Sequence, residues 1–598
     1  MAILDLLPFQ QAVVSQEPDV LKDSDHYYYL GVRILTTASV LYIVSRVIYL
    51  LNFSPLSGIP GSRLSRLTMI KMKINALLGR LGNACEDDYY KYGDIYVIGP
   101  HEVVISNPTD CKTVLGTHQF IKSELYQHFA LIDNTMFTTQ SADLTNVRRR
   151  QVGPAFTHGY LSAMEPTILD CGIRSIWRKW DAIIAASETG HRATVPYSLH
   201  FSLTTFDIIG ALGYGQRFNA LSNNSAQIVD WVNNFNRLAL LGVVFGKFTS
   251  RFPLNLLLTG KLLKSKNDFV KFGNAAAGRR REILRDKNTE KPKDILQILL
   301  DAEDPESRVR MTQTQITAEN IGFLIGGTDT SSLTLSWTLH YLLLYPKVYS
   351  RAVREVRGKF SRSHTITYAE GKASLPYIDA CIYEAMRIRS VTGVILPQIV
   401  PEGGATFQGH YLPGGTQIGV NIAGANHHKE TWDQPRRFMP ERFLGDGEKM
   451  KQNVLTFSAG VRICPGKNLA HYEMMPILTN LLKDYDFELP ADSLFGPDIV
   501  DTLGYPIPMP RKHSLTVMPK YPDRDCLVVI SRASESHLLN QHQQPVLQAL
   551  LLQNMFISAA EGAAAGVDVV DAVDGATAGG AVVVVVLAFL LPAASPMR

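Results

Sequence analysis

The feature that most constrains the fold is a ten-residue loop followed by an apolar helix. Residues 457–466 read Phe-Ser-Ala-Gly-Val-Arg-Ile-Cys-Pro-Gly, and residues 467–482 carry apolar side chains at helical spacing. This pattern predicts a buried helix, with a bend expected at Pro476. Cys464 then lies in a tight turn that opens a helix, where backbone N–H groups stabilise a thiolate.

An isolated cysteine is more often a small buried apolar residue than a functional one. The residues around Cys464 favour a functional role. Gly460 and Gly466 permit backbone angles and close approaches that a side chain would block, and Pro465 suits the first position of a helix. The pattern Phe-x-x-Gly-x-Arg-x-Cys-x-Gly fixes five positions within ten residues. It resembles the haem-binding loop of the cytochrome P-450 monooxygenase family.

The resemblance implies a set of residues that bind haem b, iron protoporphyrin IX. Cys464 would be the axial thiolate ligand of the haem iron. Phe457 would lie over the ligand sulfur, and Arg462 would bind a haem propionate. Gly460 and Gly466 would belong to the same cofactor-binding loop.

A long apolar segment, Ile316 to Tyr345, predicts a second buried helix that ends before a proline. At its middle lies the run Gly-Gly-Thr-Asp-Thr-Ser at 326–331, and each mid-helix glycine costs about 1 kcal/mol relative to alanine. The glycines indicate either a kink that makes room for a ligand and frees a carbonyl, or a close contact between helices. The run resembles the oxygen-activation motif of the family. By resemblance, Thr330 would hydrogen-bond dioxygen and Asp329 would deliver protons.

A third motif combines two separate segments. Glu384 and Arg387 are three residues apart in a helix predicted over 375–389, and Arg442 lies in Pro-Glu-Arg-Phe at 440–443. Most such i, i+3 pairs are surface salt bridges worth under about 1 kcal/mol. The apolar neighbours favour burial here, and the resemblance implies a buried structural triad with a role in folding.

A basic helix is also expected to contribute to binding of the haem propionates. Arg149 lies in a run of three arginines, a pattern that most often forms a solvated face. The resemblance implies instead that Arg149 binds a haem propionate. The sequence departs from the family at Thr145, where an aromatic residue or histidine is usual, and at Gln398, where arginine is common. Arg149 and Arg462 would then carry more of the haem anchoring.

The amino-acid composition excludes several other classes of protein. The chain has 598 residues, 46% of them hydrophobic and 19% charged, as expected for a globular protein. A net charge of +4 is too weak to indicate nucleic acid as a partner. The six cysteines contain no C-x-x-C pair, which argues against a zinc site or redox dithiol and favours a reducing compartment.

Five parts follow along the chain. These are an acidic segment (1–26), a membrane anchor helix (27–53), a Pro/Gly hinge (54–61), a catalytic domain (62–526) and a low-complexity tail that is predicted to be disordered (527–598). An amphipathic or core helix is the alternative for the anchor. The basic residues after the anchor predict a cytosolic catalytic domain, and the resemblance implies the endoplasmic-reticulum membrane.

The expected fold class is mainly α with a small β region. Strands are predicted near 90–106, as a hairpin with a Gly-Pro turn, near 395–420, and at 514–517. The resemblance implies the cytochrome P-450 fold, a triangular helical prism with haem between the long central helix and the cysteine-loop helix.

The resemblance also implies where the substrate pocket lies. Its segments would be 123–140, 238–248, 323–327, 391–396 and 501–506. The pocket is expected to be apolar, with the lining residues Phe129, Leu131, Phe137, Val243, Phe245, Val394, Ile395 and Leu396.

The implied function is a monooxygenase that activates dioxygen with two electrons and inserts one oxygen atom into a hydrophobic substrate. No Gly-x-Gly-x-x-Gly follows a strand, so the electron donor is expected to be a separate NADPH–cytochrome P-450 reductase, with cytochrome b5 as a further candidate. Lys467 is a candidate docking contact. The alternatives are a haem-thiolate isomerase or dehydratase, a non-catalytic haem-binding protein, and a structural membrane protein without haem. Asp329 and Thr330 argue against the first two.

Overall fold

The computed structural model describes residues 19–533 except 131, 226, 247–248, 250–253, 286–290 and 394. Most of the predicted acidic segment, most of the predicted tail, and the pocket residues Leu131 and Val394 therefore lie outside the described residues.

Helices dominate the described chain, which confirms the expected mainly α class. The α-helices are α1 (Asp19–Ile48), α2 (Arg63–Leu67), α3 (Ile70–Leu77), α4 (Leu81–Tyr92), α5 (Pro108–Leu115), α6 (Ala142–Val152), α7 (His158–Cys171), α8 (Ile173–Ala185), α9 (Tyr197–Tyr214), α10 (Ala220–Asn223), α11 (Gln227–Phe245), α12 (Leu254–Ile283), α13 (Ile295–Asp301), α14 (Gln313–Leu344), α15 (Pro346–Arg357), α16 (Tyr368–Ser374), α17 (Pro376–Ile388), α18 (Ile422–Asn426), α19 (Lys467–Asp484) and α20 (Pro522–Asp525).

The strands are short. They are β1 (Ile95–Gly99), β2 (Glu102–Ile105), β3 (Ile121–Lys122), β4 (Arg192–Pro196), β5 (Leu396–Ile399), β6 (Ala405–Phe407), β7 (His410–Leu412), β8 (Gln417–Val420), β9 (Tyr485–Glu488), β10 (Arg511–His513), β11 (Val517–Pro519) and β12 (Leu527–Arg532). The largest sheet has the order β1-β2-β8-β5-β3, and a second has the order β4-β12-β9.

The central helix α14 starts three residues earlier than expected. Thr312 caps it, and Gln315 returns a hydrogen bond to the cap, which forms a capping box. The helix ends at Leu344, and Pro346 opens α15. Its second half is buried continuously from Ser331 onward. Helix α9, also buried over almost its whole length, packs beside it.

The two expected strand clusters form one sheet. β1 and β2 make the predicted antiparallel hairpin, and β2 pairs in parallel with β8. At the far edge β3 pairs with β5, which places Lys122 opposite Gln398. Lys122 therefore brings a positive charge next to Gln398, the position at which an arginine is common in the family.

The first residues assigned to the predicted tail form a strand. Residues 527–532 form β12, which pairs with β4. Val528 and Ile530 are fully buried while their neighbours are not, as a half-buried strand requires. The strand expected at 514–517 lies at Val517–Pro519 instead.

The segment Tyr27–Phe53 is long and apolar enough to cross a membrane, and almost none of it is buried by the rest of the protein. Its last turn, Tyr49–Phe53, is a π-helix. The predicted hinge that follows is held firmly: Leu56 and Ile59 are buried, and Arg66 donates hydrogen bonds to two hinge carbonyls.

Candidate active site

A cavity of about 410 Å³ lies between α14 and the loop before α19. It brings together residues that are far apart in sequence, including Arg149 from α6, Asp329 and Thr330 from α14, and Phe457 and Cys464 from the loop. Most of its wall is apolar, so the few polar groups that face it are the candidates for chemistry.

Cys464 differs from the other cysteines of the chain. It is exposed, whereas the other five are buried. Its N–H donates to the Phe457 carbonyl at 2.8 Å, which closes the loop. Desolvation by the surrounding protein raises the pKa of the thiol, while the backbone at Gly466 and the charge of Arg149 oppose the rise. The net direction of the pKa shift is upward, because desolvation outweighs these two effects.

The loop is fixed against the end of α5. Gly460 has φ +54°, and a Cβ there would lie 2.5 Å from the Cα of Gly116, so both the angle and the space require glycine. Arg462 donates to the carbonyl oxygens of Val114, Thr117 and Phe120. These contacts hold the loop from its outer side.

The same need for glycine is not found at Gly466. Its φ is −79°, an ordinary angle. A Cβ there would meet only the Sγ of Cys464, at 3.8 Å. The glycine therefore keeps space open beside the thiol but does not relieve backbone strain.

Three cations face the cavity. Arg149, Arg462 and Lys122 all line it, and none forms an ion pair within the described part of the chain. The buried Nε atoms of both arginines have no hydrogen-bond partner there. Burial, together with repulsion by Arg462 and Arg149, lowers the pKa of Lys122 to about 7. Such a cluster is suited to a dianionic ligand.

Sequence reasoning missed Lys122, because its relevance depends on strand pairing. It lies opposite Gln398, whose amide donates to the Tyr126 hydroxyl at 3.2 Å. Thr145, the other departure from the family pattern, is buried and donates to the Ser141 carbonyl. A lysine two residues after Phe120 carries no distinctive local pattern.

The triple arginine is not a solvated face. Arg148 is buried, with its Nε 3.6 Å from Glu319. Arg150 binds the buried Asp304, with an Nε–Oδ1 distance of 2.5 Å. Arg149 donates to the Ile463 carbonyl at 2.8 Å and points toward the cysteine loop. Three successive residues therefore contact three different parts of the protein.

Helix α14 passes the site without interruption. The Thr330 hydroxyl donates to the Gly326 carbonyl at 2.6 Å. Gly326 has open space where a side chain would lie, whereas a Cβ at Gly327 would lie 3.0 Å from Ile209 of α9. Gly326 therefore leaves room beside the cavity and Gly327 permits a contact between helices. The expected free carbonyl is not seen, because the helix is continuous and the Gly326 carbonyl accepts from Thr330.

Asp329 is the acid on this wall. Burial raises the pKa of its carboxyl to about 7, and the Asn236 amide nearby opposes the rise. The Oδ2 atom makes no hydrogen bond within the described structure. The group can therefore hold or release a proton near neutral pH.

Glu473 is a second cavity acid, which the sequence reasoning missed. It lies on α19, is 0% exposed, and neither carboxylate oxygen has a hydrogen-bond partner among the described atoms. Burial raises its pKa to about 8, and the nearby Ser331 opposes the rise. A glutamate inside an otherwise apolar helix was the available signal.

Glu384, Arg387 and Arg442 lie together behind the loop. The Nε atoms of Arg387 and Arg442 lie 2.7 and 3.1 Å from Glu384 Oε2, and the Glu384 and Arg387 side chains are both 0% exposed. Arg387 also donates to the carbonyls of Asn426 and Pro435. The carboxylate and the Arg387 guanidinium are thus surrounded by partners, as burial of charge requires. The buried Nη2 of Arg442 has no hydrogen-bond partner within the described part of the chain.

The cavity lining agrees only partly with the predicted pocket. Phe129, Phe137 and Leu396 line it, whereas Val243, Phe245 and Ile395 are not part of the lining. Helix α11 contributes instead through Phe235 and Asn236, one turn before the predicted segment. Leu515 and Thr516 replace the predicted 501–506 segment.

Comparison with known proteins gives a consistent result. The family profile described as Cytochrome P450 matches residues 68–502. The chain is 40% identical over 509 residues to the cytochrome P450 monooxygenase helB1 of Aspergillus fumigatus, covering 83% of this chain and 87% of that protein. It is 30% identical over 468 residues to the cytochrome P450 monooxygenase lcsI of Purpureocillium lilacinum, covering 75% and 87%.

The match spans most of the chain and includes every described part of the cavity wall except Leu515 and Thr516. The helical architecture with small sheets is the fold of this family. The chain therefore belongs to the cytochrome P450 monooxygenases, oxidoreductases that incorporate molecular oxygen with a haem-thiolate cofactor.

Proposed function

We propose that the protein inserts one oxygen atom from dioxygen into a hydrophobic organic substrate, using electrons from a separate NADPH-dependent reductase. The observation that carries the proposal is that the Cys464 thiol and the Thr330 hydroxyl line one cavity. Three cations that form no ion pair with the described residues also face it. A thiol, a hydroxyl next to an acid, and an anion-binding edge are what such an oxidation needs from the protein.

The residues of the cavity fit haem b. Cys464 would ligate the iron, and Phe457 packs next to the loop that carries it. Arg149 and Arg462, with Lys122, would bind the two propionates, which supply the carboxylates that the orphaned Nε donors lack. When bound, haem supplies the iron at which dioxygen is reduced and an oxygen atom is transferred.

Asp329 and Thr330 on α14, the distal side of the cavity across from the cysteine loop, would transfer protons. The Thr330 hydroxyl now donates to its own helix, and a rotation about χ1 would direct it into the cavity. Asp329, with a pKa of about 7, would take up a proton from solvent and pass it toward Thr330. The apolar walls exclude water, which limits loss of protons and reducing equivalents.

Electrons would enter on the cysteine side. Lys467 follows the loop, with its Nζ 5.9 Å from the centre of the Phe457 ring. A cation at this position suits an acidic face of a reductase or of cytochrome b5. The apolar segment Tyr27–Phe53 would hold the protein in the endoplasmic-reticulum membrane, with the catalytic domain in the cytosol.

The carbon monoxide difference spectrum of the reduced protein tests the proposal. The native chain should give the far-red-shifted band of a thiolate-ligated haem, and Cys464→Ala should abolish it. Cys171→Ala is the matched control, because that cysteine is buried and outside the cavity lining. Retention of the band in Cys464→Ala, or its absence from the native protein supplied with haem, would refute the assignment.

A further inference from the structure

Asn236 is a buried amide without partners. It lies on α11, is 2% exposed, and lines the cavity. Neither its Nδ2 nor its Oδ1 makes a hydrogen bond within the part of the chain that the structure describes. Leaving a buried polar group without a hydrogen bond destabilises the fold. A residue that carries this cost at both atoms in a ligand cavity is suited to a ligand that satisfies them.

Aromatic side chains and an acid share the cavity wall with Asn236. Phe235 precedes it, and Phe129 and Phe323 line the same cavity. Asp329 is the acid: it lies near enough for the amide to lower its pKa, although no hydrogen bond of ordinary geometry joins them. The amide therefore lies near Asp329, on the side of the cavity where the oxidation is proposed to take place. A few placed polar groups in a mostly apolar cavity are the usual way in which a site fixes a ligand's orientation.

We propose that Asn236 anchors the substrate, which is a mostly hydrocarbon molecule carrying a hydroxyl or carbonyl oxygen. The inference rests on the proposed function and narrows it. An amide offers both a donor and an acceptor, so it can donate to a carbonyl or exchange both bonds with a hydroxyl. Plain hydrocarbons would leave the amide unpaired and are disfavoured. The anchor would thus decide which carbon lies near Thr330.

The alternative is that Asn236 only positions Asp329. An anchor changes the preference for an oxygenated ligand, whatever the loss of the amide does to the titration of Asp329. A positioning residue changes the titration and leaves the preference unchanged. The two roles therefore give different results in one variant.

Binding of matched probes to the haem-loaded full chain tests the proposal. Isothermal titration calorimetry would compare dodecane with dodecan-1-ol and dodecan-2-one, and adamantane with 1-adamantanol and 2-adamantanone. The ratio of hydrocarbon Kd to oxygenated Kd should fall about tenfold from the native protein to Asn236→Leu, which corresponds to 1.4 kcal/mol. Thr135→Val is the control, because Thr135 lines the cavity but already bonds Thr138. It should keep the native ratio.

An unchanged ratio in Asn236→Leu across both probe sets overturns the anchor, whether or not the titration of Asp329 moves. So does an equal fall in Thr135→Val. The carbon monoxide spectrum of the same samples separates this failure from that of the proposed function. A thiolate-haem band with an unchanged ratio refutes only the anchor, whereas loss of the band in the native protein refutes the function.

Discussion

The two sides of the cavity satisfy their polar groups differently. On the cysteine side, Arg462 and Arg387 donate to backbone carbonyls, and Glu384 is shared between two guanidinium groups. Atoms without a described partner remain on that side too, at the Arg462 Nε and at both carboxylate oxygens of Glu473. On the opposite side, Asn236 and Asp329 lie in the wall with polar atoms that make no hydrogen bond to any described residue. The first arrangement fixes a loop, and the second leaves groups free to act on a ligand.

The contrast separates folding from chemistry. Contacts to backbone hold the Cys464 loop in one geometry whatever occupies the cavity. Polar groups without a hydrogen-bond partner on the distal wall lower the stability of the fold. They are expected where they bind a ligand or transfer a proton. Changes on the cysteine side should therefore reduce stability and haem retention, whereas changes on the distal side should alter turnover and selectivity.

The largest effect is expected at Glu384. Glu384→Gln keeps the volume but leaves Arg387 and Arg442 buried without a counter-charge, which costs about 3–5 kcal/mol. Glu448→Gln is the matched control, since Glu448 forms an i, i+3 pair with Lys451 but is largely exposed, and it should cost under about 1 kcal/mol. Urea unfolding followed by tryptophan fluorescence measures both. Equal losses would break the contrast between buried and exposed pairs.

A smaller effect on the same side is expected at Gly460. Gly460→Ala forces a Cβ to within 2.5 Å of the Gly116 backbone at a positive φ, with a cost of about 1–3 kcal/mol. Gly466→Ala meets only the sulfur at 3.8 Å and should leave apoprotein stability nearly unchanged. Thermal unfolding of the apoproteins gives the comparison. A Gly460→Ala protein as stable as the native chain would mean that the loop is not held as described.

On the distal side, the amount of product formed per NADPH should depend on pH. Burial raises the pKa of Asp329 from its ordinary 3.8 to about 7, so the carboxyl is protonated below pH 7 and can deliver a proton there. Product formed per NADPH should fall as the pH rises through 7, and Asp329→Asn should lose this inflection. Any inflection from Glu473, whose pKa is about 8, should remain in the variant.

Stability provides the control for Asp329. Since the folded-state pKa lies above the ordinary value, ionisation of Asp329 destabilises the fold as the pH rises through that window. Asp329→Asn should therefore be no less stable than the native protein at pH 8, although its coupling is impaired. A variant that unfolds more easily at that pH would place Asp329 among the folding contacts.

Local sequence patterns were sufficient for the elements that carry their own signals. The apolar run at 316–345 and the Gly-Pro turn near 100 predicted α14 and the β1–β2 hairpin to within a few residues. Helix α17 likewise differs from its predicted range by one residue at each end. The spacing of Phe457, Arg462 and Cys464 indicated the cysteine loop, because a tight turn restricts which residues fit at each position.

The residues that were missed depend on contacts between distant segments. Lys122 matters because β3 pairs with β5, and residues 527–532 became a strand because β4 lies 330 residues earlier as its partner. Asn236 and Glu473 look like ordinary helix residues until the packing of α11 and α19 places both in one cavity.

The amino-acid sequence by itself determined the helices, the thiol-bearing loop and the family motifs, since these follow from local spacing and turn chemistry. Only the tertiary structure decided which polar groups are paired. Whether a buried charge or amide is satisfied depends on neighbours from other segments, and at this cavity that distinction separates the groups that hold the fold from those available to a ligand.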